Sequence, residues 1–288
     1  MSSLHIRHRT TYRYSAPVKF GLHRLVLRPR EGHRTTVRQH QITVTPHASL
    51  TWMTDIFGNH IALAEIDEPG AELVVDNTVK LDLHDNLSDP GAVQQSGCSA
   101  VTLPATWLQY EQEIAAAYAV SAWQDEAYLV TEWMHSLVRP SGMSAAGAMQ
   151  SLTAAIHRTI KYRRREEPGV QSPAATLNLG TGSCRDMATL ALEAARSLGL
   201  AARFVSGYLH SSISAAGHGS THAWVEVYLP DCGWTAFDPT TGGAAGSRHI
   251  ALGVSSHPRG VMPISGTYDS HTGTSLGMTV SLTIRAAA

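Results

Sequence analysis

Three side chains, far apart in the chain, have the types that a thiol-dependent acyl transfer requires: Cys184, His222 and Asp238. A sulfur would attack a carbonyl, an imidazole would move the protons, and a carboxylate would orient the imidazole. Cys184 stands in "GTGSCRDMATLALEAARSLGL" (180–200), where a loop of small residues runs into a helical pattern. Met187, Leu190, Ala191, Ala194 and Leu198 share one stripe of that helix. Ser183 is placed as N-cap, Asp186 falls in the first turn, and Gly199 stands where a left-handed residue closes the last. Cys184 is then the first helical residue. Unpaired amides and the positive helix end favour thiolate over thiol there. Taken alone, such a cysteine also reads as a small buried hydrophobe, so a base and an orienting group must be found.

Both occur in "THAWVEVYLPDCGWTAFDPT" (221–240), which has the pattern of a hairpin. Ala223, Val225, Val227 and Leu229 make one face; His222, Trp224, Glu226 and Tyr228 make the other. The turn falls at Pro230–Gly233. Pairing centred on it sets Asp238 across from about Trp224, a diagonal neighbour of His222 on the same face. Asp238 can then fix the imidazole tautomer and leave the other ring nitrogen for Cys184. Separately, His222 reads as an exposed strand histidine and Asp238 as an Asp-Pro strand end.

The elements that must carry these residues follow from hydrophobic periodicity. Residues 1–88 alternate in short runs broken by turn residues, with Gly58-Asn59 as a hairpin signal, and this predicts an antiparallel β-sandwich. Residues 89–104 are rich in Gly, Ser, Pro and Gln and read as a linker. Residues 105–288 form a second domain: helical patterns to about Ile160, a loop over 161–182, the cysteine helix, and strands near 201–210, 221–229 and 233–238. Residues 241–275 read as loop, and 276–285 as a final strand. The fold class is α+β.

Three segments together resemble the bacterial transglutaminase-like family: the cysteine segment, the hairpin, and the N-terminal "TTYRYSAPV", "LRP" and "DIFGN". The resemblance spans nearly the whole chain, with the cysteine, histidine and aspartate segments in family order. It implies a papain-like cysteine core behind a β-rich N-terminal domain. It also implies Cys184 as nucleophile, His222 as general base and then acid, and Asp238 as orienting group. One departure is the Ser256-His257-Pro258 stretch, where members carry a Gly-Arg-Asp-like segment. A fold of this kind does not by itself fix the reaction.

The expected reaction is cleavage of a peptide or protein amide through a thioester, with hydrolysis favoured. Transfer to an amine, as in a transglutaminase, and a non-catalytic peptide-binding module are the alternatives. The Cys184 N–H is one oxyanion donor by geometry; Asn178, Tyr162 and Trp224 are candidates for the second. Glu226 shares a face with His222 and is a candidate outer-shell partner. The run Arg163–Glu167 reads as a solvated loop or a contact for acidic substrate groups.

Composition bounds the rest. At 288 residues, 43% hydrophobic and 16% charged, the chain can bury a substantial core. A formal charge of -1 gives no reason to expect a nucleic-acid partner. Sixteen histidines are scattered; His218 and His222 are four apart but not on a helix, and neither a metal nor a cofactor is expected. Cys98 and Cys232 are read as incidental free thiols. With no visible secretory signal and no membrane-length apolar run, a cytoplasmic location is the expectation. The oligomeric state is left open.

Overall fold

The computed structural model describes residues 2–84, 101–138, 142–165, 167–210 and 219–286. Cys98, Glu166, His218 and residues 89–100 of the linker lie outside them. Every second residue of β1 (Ser2–Val18) turns inward over its first half. Leu4, Ile6, His8 and Thr10 are buried, while His5, Arg7 and Arg9 are exposed. β1 lies in an antiparallel sheet ordered β15–β1–β6–β3, with β3 (Thr35–Thr45), β6 (Gly70–Leu83) and β15 (Ser275–Ala286). A second sheet runs β14–β2–β5–β4: β2 (His23–Leu25), β4 (Ala48–Thr54), β5 (His60–Ile66) and β14 (Ile264–Ser265). Tyr14, Val18, Leu25, Ala62, Ala64, Leu73 and Val75 form one buried cluster from both sheets, so the N-terminal part is a sandwich. The hairpin turn expected at Gly58-Asn59 joins β4 to β5.

Position in the chain assigned the last strand to the second domain. It pairs instead along β1, from Leu4↔Ala286 to Tyr12↔Met278. The first sheet is therefore built from both ends of the chain.

The C-terminal half is an antiparallel sheet ordered β12–β11–β10–β9–β13 with helices on one face. Its strands are β9 (Ala202–His210), β10 (Gly219–Leu229), β11 (Gly233–Asp238), β12 (Gly243–Ala244) and β13 (His249–Ser255). β13 falls in the stretch read as loop. Its Gly253 obscures the strand pattern, and the space explains the glycine: a Cβ there would stand 2.7 Å from Val26 and 3.0 Å from Val261. The helices are α1 (Gln112–Ala119), α2 (Ala127–Leu137), α3 (Ala145–Thr159), α4 (Pro173–Leu179) and α5 (Cys184–Ser197). α4 also falls in an expected loop. Ser172 caps it by accepting from Ala175 N at 3.2 Å, and Pro173 opens it, a start signal that a seven-residue helix makes easy to overlook.

α5 differs from the one-stripe expectation. Met187, Leu190, Ala191 and Ala194 are buried as predicted, but so is every residue from Asp186 to Arg196. One side packs on β9 and β10, the other is covered by the remaining helices. Two of its three inward charges satisfy each other: Arg196 Nη1 donates to Glu193 Oε1 at 2.7 Å. Gly199, at φ 73°, ends the helix as expected.

The two halves share a core. Leu4, Ile6, Val79, Leu81 and Ile284 of the first sheet pack against Tyr208, Ile250 and Leu252 of the five-stranded sheet. His8 Nδ1 lies 3.0 Å from the Tyr208 hydroxyl within this layer. The "DIFGN" turn provides a polar clasp. Asn59 donates to the carbonyl of Val254 at 2.7 Å and accepts from its N–H at 2.9 Å, completing a hydrogen-bonded ring with β13.

Candidate active site

Cys184 is the first residue of α5, half-buried at the mouth of the helix. The loop before it is held by Asp186, which is fully buried. Asp186 Oδ2 accepts from the Ser183 N–H at 2.8 Å and from its hydroxyl at 2.7 Å. Oδ1 accepts from the Gln171 N–H at 2.7 Å and from Arg165 Nη1 at 2.9 Å. Asp186 therefore does more than complement the helix dipole: it ties the 163–171 loop to the cysteine. Arg165 belongs to this anchor and is not a solvated loop residue; Arg163 and Arg164 are exposed.

The hairpin register is the one the pattern predicts. β10 and β11 pair from Leu229↔Gly233 to Val225↔Phe237, so Asp238 comes next, across from Trp224. His222 Nε2 lies 2.9 Å from Asp238 Oδ2. That bond leaves Nδ1 for Cys184, and the cysteine is within hydrogen-bonding reach of the ring. Burial acts to lower the imidazole pKa. The hydrogen bonds to Asp238 and Cys184, with the charge of both, outweigh it and raise the pKa to about 9. Asp238, although fully buried, is held well below the usual carboxylate range by its two imidazole partners.

The second of these partners is His249, which sequence reasoning passed over because it stands at the head of β13, inside the expected loop. Its Nε2 lies 3.0 Å from the same Asp238 oxygen, and its Nδ1 accepts from the Gly246 N–H at 3.2 Å. The Nδ1 bond puts the ring proton on Nε2, so His249 donates to Asp238. Asp238 Oδ1 accepts from the Thr240 N–H at 2.9 Å. The signal available in the sequence was the "HI" pair shortly after the aspartate strand. His222, Asp238 and His249 also form a cluster, among the described residues, with donor atoms within 4.8 Å of one another. A metal there would have to displace both N–H donors from Asp238.

The remaining candidates separate. Tyr162 lies in a two-residue strand β7 (Lys161–Tyr162) paired in parallel with β8 (Thr181–Gly182), which ends two residues before Cys184. Burial, and next the Cys184 charge, raise its pKa; like Asn178, it is not among the residues that line the cleft. Asn178 is exposed near the end of α4 and does not line the cleft. Trp224 is not an oxyanion donor. Its ring lies behind the histidines, 6.3 Å from His222 and 5.1 Å from His249, and its Nε1 is buried without a hydrogen-bond partner. Gly207 makes room for it: a Cβ there would stand 2.5 Å from the indole. Glu226 makes no contact with Cys184, His222 or Asp238; it pairs at 2.7 Å with Arg203, its register partner on β9. Cys232, read as a free thiol, is disulfide-bonded.

The cleft beside Cys184 and His222 has a volume of about 140 Å³ and mostly apolar walls, among them Phe204, Val261 and Met262. The Ser256-His257-Pro258 stretch builds one rim. His257 stacks on Trp123 at 5.0 Å, Arg196 Nη2 donates to the Ser256 carbonyl at 2.6 Å, and Pro258 opens a short 3-10 turn facing the cleft.

A cysteine at a helix mouth, opposite a hairpin that carries histidine and aspartate, is the arrangement of a papain-like cysteine fold. The comparisons agree. The bacterial transglutaminase-like N-terminal region matches residues 4–82 and the transglutaminase-like superfamily matches residues 131–239, and the chain belongs to that family. An uncharacterized protein of Mycobacterium leprae is 24% identical over 98% of this chain and 99% of its own length. A Mycobacterium tuberculosis counterpart, also uncharacterized, is 26% identical over 91% of this chain and 86% of its own. A crystal structure from Cytophaga hutchinsonii, described as a "Putative Cysteine Protease", superposes with a TM-score of 0.76 at 15% identity, covering 100% of this chain and 91% of that one. At that identity the likeness speaks for the fold.

Proposed function

We propose that this protein hydrolyses amide bonds of peptides or proteins through a thioester on Cys184. The observation that carries the reading is the imidazole of His222, held by Asp238 through Nε2 and facing the sulfur with its other nitrogen. The sulfur attacks the carbonyl carbon as thiolate, and the carbonyl electrons move to oxygen. The Cys184 N–H is unpaired at the first helical position and receives that oxyanion. The second donor in this reading is the Tyr162 hydroxyl, carried by the short strand that pairs with Thr181–Gly182, two residues before the sulfur. As the intermediate collapses, the C–N bond breaks and imidazolium gives its proton to the leaving amine. His222 then takes a proton from water, which attacks the thioester and restores the thiolate.

Hydrolysis is favoured over transfer because the cleft opens to solvent, so that water is the acceptor at hand. The test is a panel of peptide anilides, incubated with and without a lysine-analogue amine and quenched in acid for mass spectrometry. A peptidyl adduct on Cys184 and free-acid product are expected, both lost in Cys184→Ala. Amide-linked product would assign a transglutaminase. No adduct under any condition would leave a binding module.

A further inference from the structure

Two cations line the cleft, and neither forms an ion pair with a carboxylate among the described residues. Arg185 follows the nucleophile directly, and Arg259 projects from the short turn Pro258–Val261 on the facing rim. Arg185 spends one Nη on the main-chain carbonyls of Arg165 and Glu167, which hold it in place without neutralising it. Its Nε is buried and has no hydrogen-bond partner. Arg259 is exposed, and only its main-chain N–H is used, donating to His257 Nδ1. Among the described residues the nearby carboxylates are already taken: Asp186 and Glu167 both pair with Arg165. Arg164, exposed, adds a third cation, whose charge acts to lower the Tyr162 pKa, as that of Arg185 also does. The rest of the cleft is mostly apolar.

We propose that Arg185 and Arg259 form a carboxylate-recognition subsite, so that the preferred substrate bears an acidic group next to the scissile amide. The assignment rests on the hydrolase reading above and specifies its substrate class. Guanidinium groups suit carboxylates because they offer planar, paired N–H donors. A low-dielectric wall beside them strengthens the attraction and focuses anions on the sulfur. The carboxylate could belong to an aspartate or glutamate side chain or to a chain terminus; the chemistry is shared.

Alkylation of Cys184 by iodoacetate and by iodoacetamide tests the subsite without any turnover. The two reagents differ by a carboxylate in place of an amide. The rate ratio, iodoacetate over iodoacetamide, should fall at least about 3-fold in Arg259→Gln and in Arg185→Gln. It should also fall in the unmodified protein as salt is raised from 0.01 to about 1 M. A ratio equal in all three proteins overturns the proposal, since any anion preference would then come from His222. Loss of reactivity toward both reagents in the unmodified protein would instead sink the nucleophile reading, and the subsite with it. Peptide pairs then separate the sources. A rate advantage of glutamate over glutamine beside the cleaved bond assigns the side chain, and an advantage of a C-terminal acid over its amide assigns the terminus. Neither advantage contradicts the subsite.

Discussion

His249 and His222 place their Nε2 atoms 3.0 Å and 2.9 Å from one oxygen of Asp238. The carboxylate is thus clamped between two imidazoles, one facing the sulfur and one facing a main-chain N–H. Removing His249 takes away one of the donors that fix Asp238, leaving the Thr240 N–H and His222, and so loosens His222 without touching substrate. His249→Phe should lower kcat by roughly 10- to 100-fold, the scale of an ångström-sized misplacement, with KM little changed. His249→Gln, which can still donate, should recover most of the rate. A KM effect equal to the kcat effect would argue for a substrate contact instead. Asp238→Asn removes both acceptor bonds and the tautomer control, and a loss of kcat approaching 10⁴-fold is the expected scale; near-normal turnover would remove Asp238 from the site.

The imidazole pKa of about 9 sets an alkaline limit. Proton donation to the leaving amine requires the imidazolium, so kcat/KM for an anilide should decline as pH rises through about 9. The same shift carries a stability term of definite sign. The folded pKa lies above the ordinary 6.5, so this contribution is fully present below pH 6.5 and is lost as pH rises through 9. Rate profiles and denaturant midpoints from pH 6 to 10 would show both; a flat profile through pH 9 contradicts the assignment.

Acid acts through different histidines. Burial lowers the pKa of His8 and of His40 to about 4. Between pH 6.5 and 4 the unfolded chain binds protons that the native state refuses. Stability is therefore present above pH 6.5 and drains away as pH falls to 4, by about 3 kcal/mol for His8. His8→Asn should lose less stability over that interval than the unmodified protein. Parallel denaturant curves at pH 7 and 4.5 decide it, and an equal loss in both proteins would clear His8 of the effect.

Asn59 links the N-terminal sandwich to the site through β13, the strand that begins with His249. Asn59→Ala would strand the Val254 N–H and carbonyl in the interior. A cost of roughly 2–4 kcal/mol is expected from the two unsatisfied groups. Slower alkylation of Cys184 in the folded variant should accompany it, because β13 loses its clasp. Loss of stability with unchanged alkylation would show that the sandwich supports the fold without shaping the site.

The parts of the site that were readable in the sequence are local. The Ser183–Asp186 cap, the left-handed Gly199 and the hairpin centred on Pro230–Gly233 follow from short-range rules, and together they bring His222 to Asp238. The parts that were not readable depend on distant pairing. His249 reaches Asp238 because β13 pairs with β9 through a bulge between Ala251 and Gly253, a register no local pattern encodes. Trp224 turned out to be a wall behind the imidazoles because Gly207 on the next strand leaves room for it. Arg165 joined a buried ion pair because Asp186 lies 21 positions further along the chain and directly beside it. The closing strand β15 crossed to the first sheet because Leu282 and Ile284 fill its core layer with β1 and β6.

The most direct test of the account is the alkylation of Cys184 by iodoacetamide, located by mass spectrometry and timed at pH 6 in the unmodified protein and in His222→Ala. Pairing of the sulfur with the His222 imidazolium predicts labelling at pH 6 at least about 10-fold faster in the unmodified protein, with the gap closing as pH rises toward the range where an unassisted thiol ionises. Equal rates in the two proteins across the pH range would contradict it.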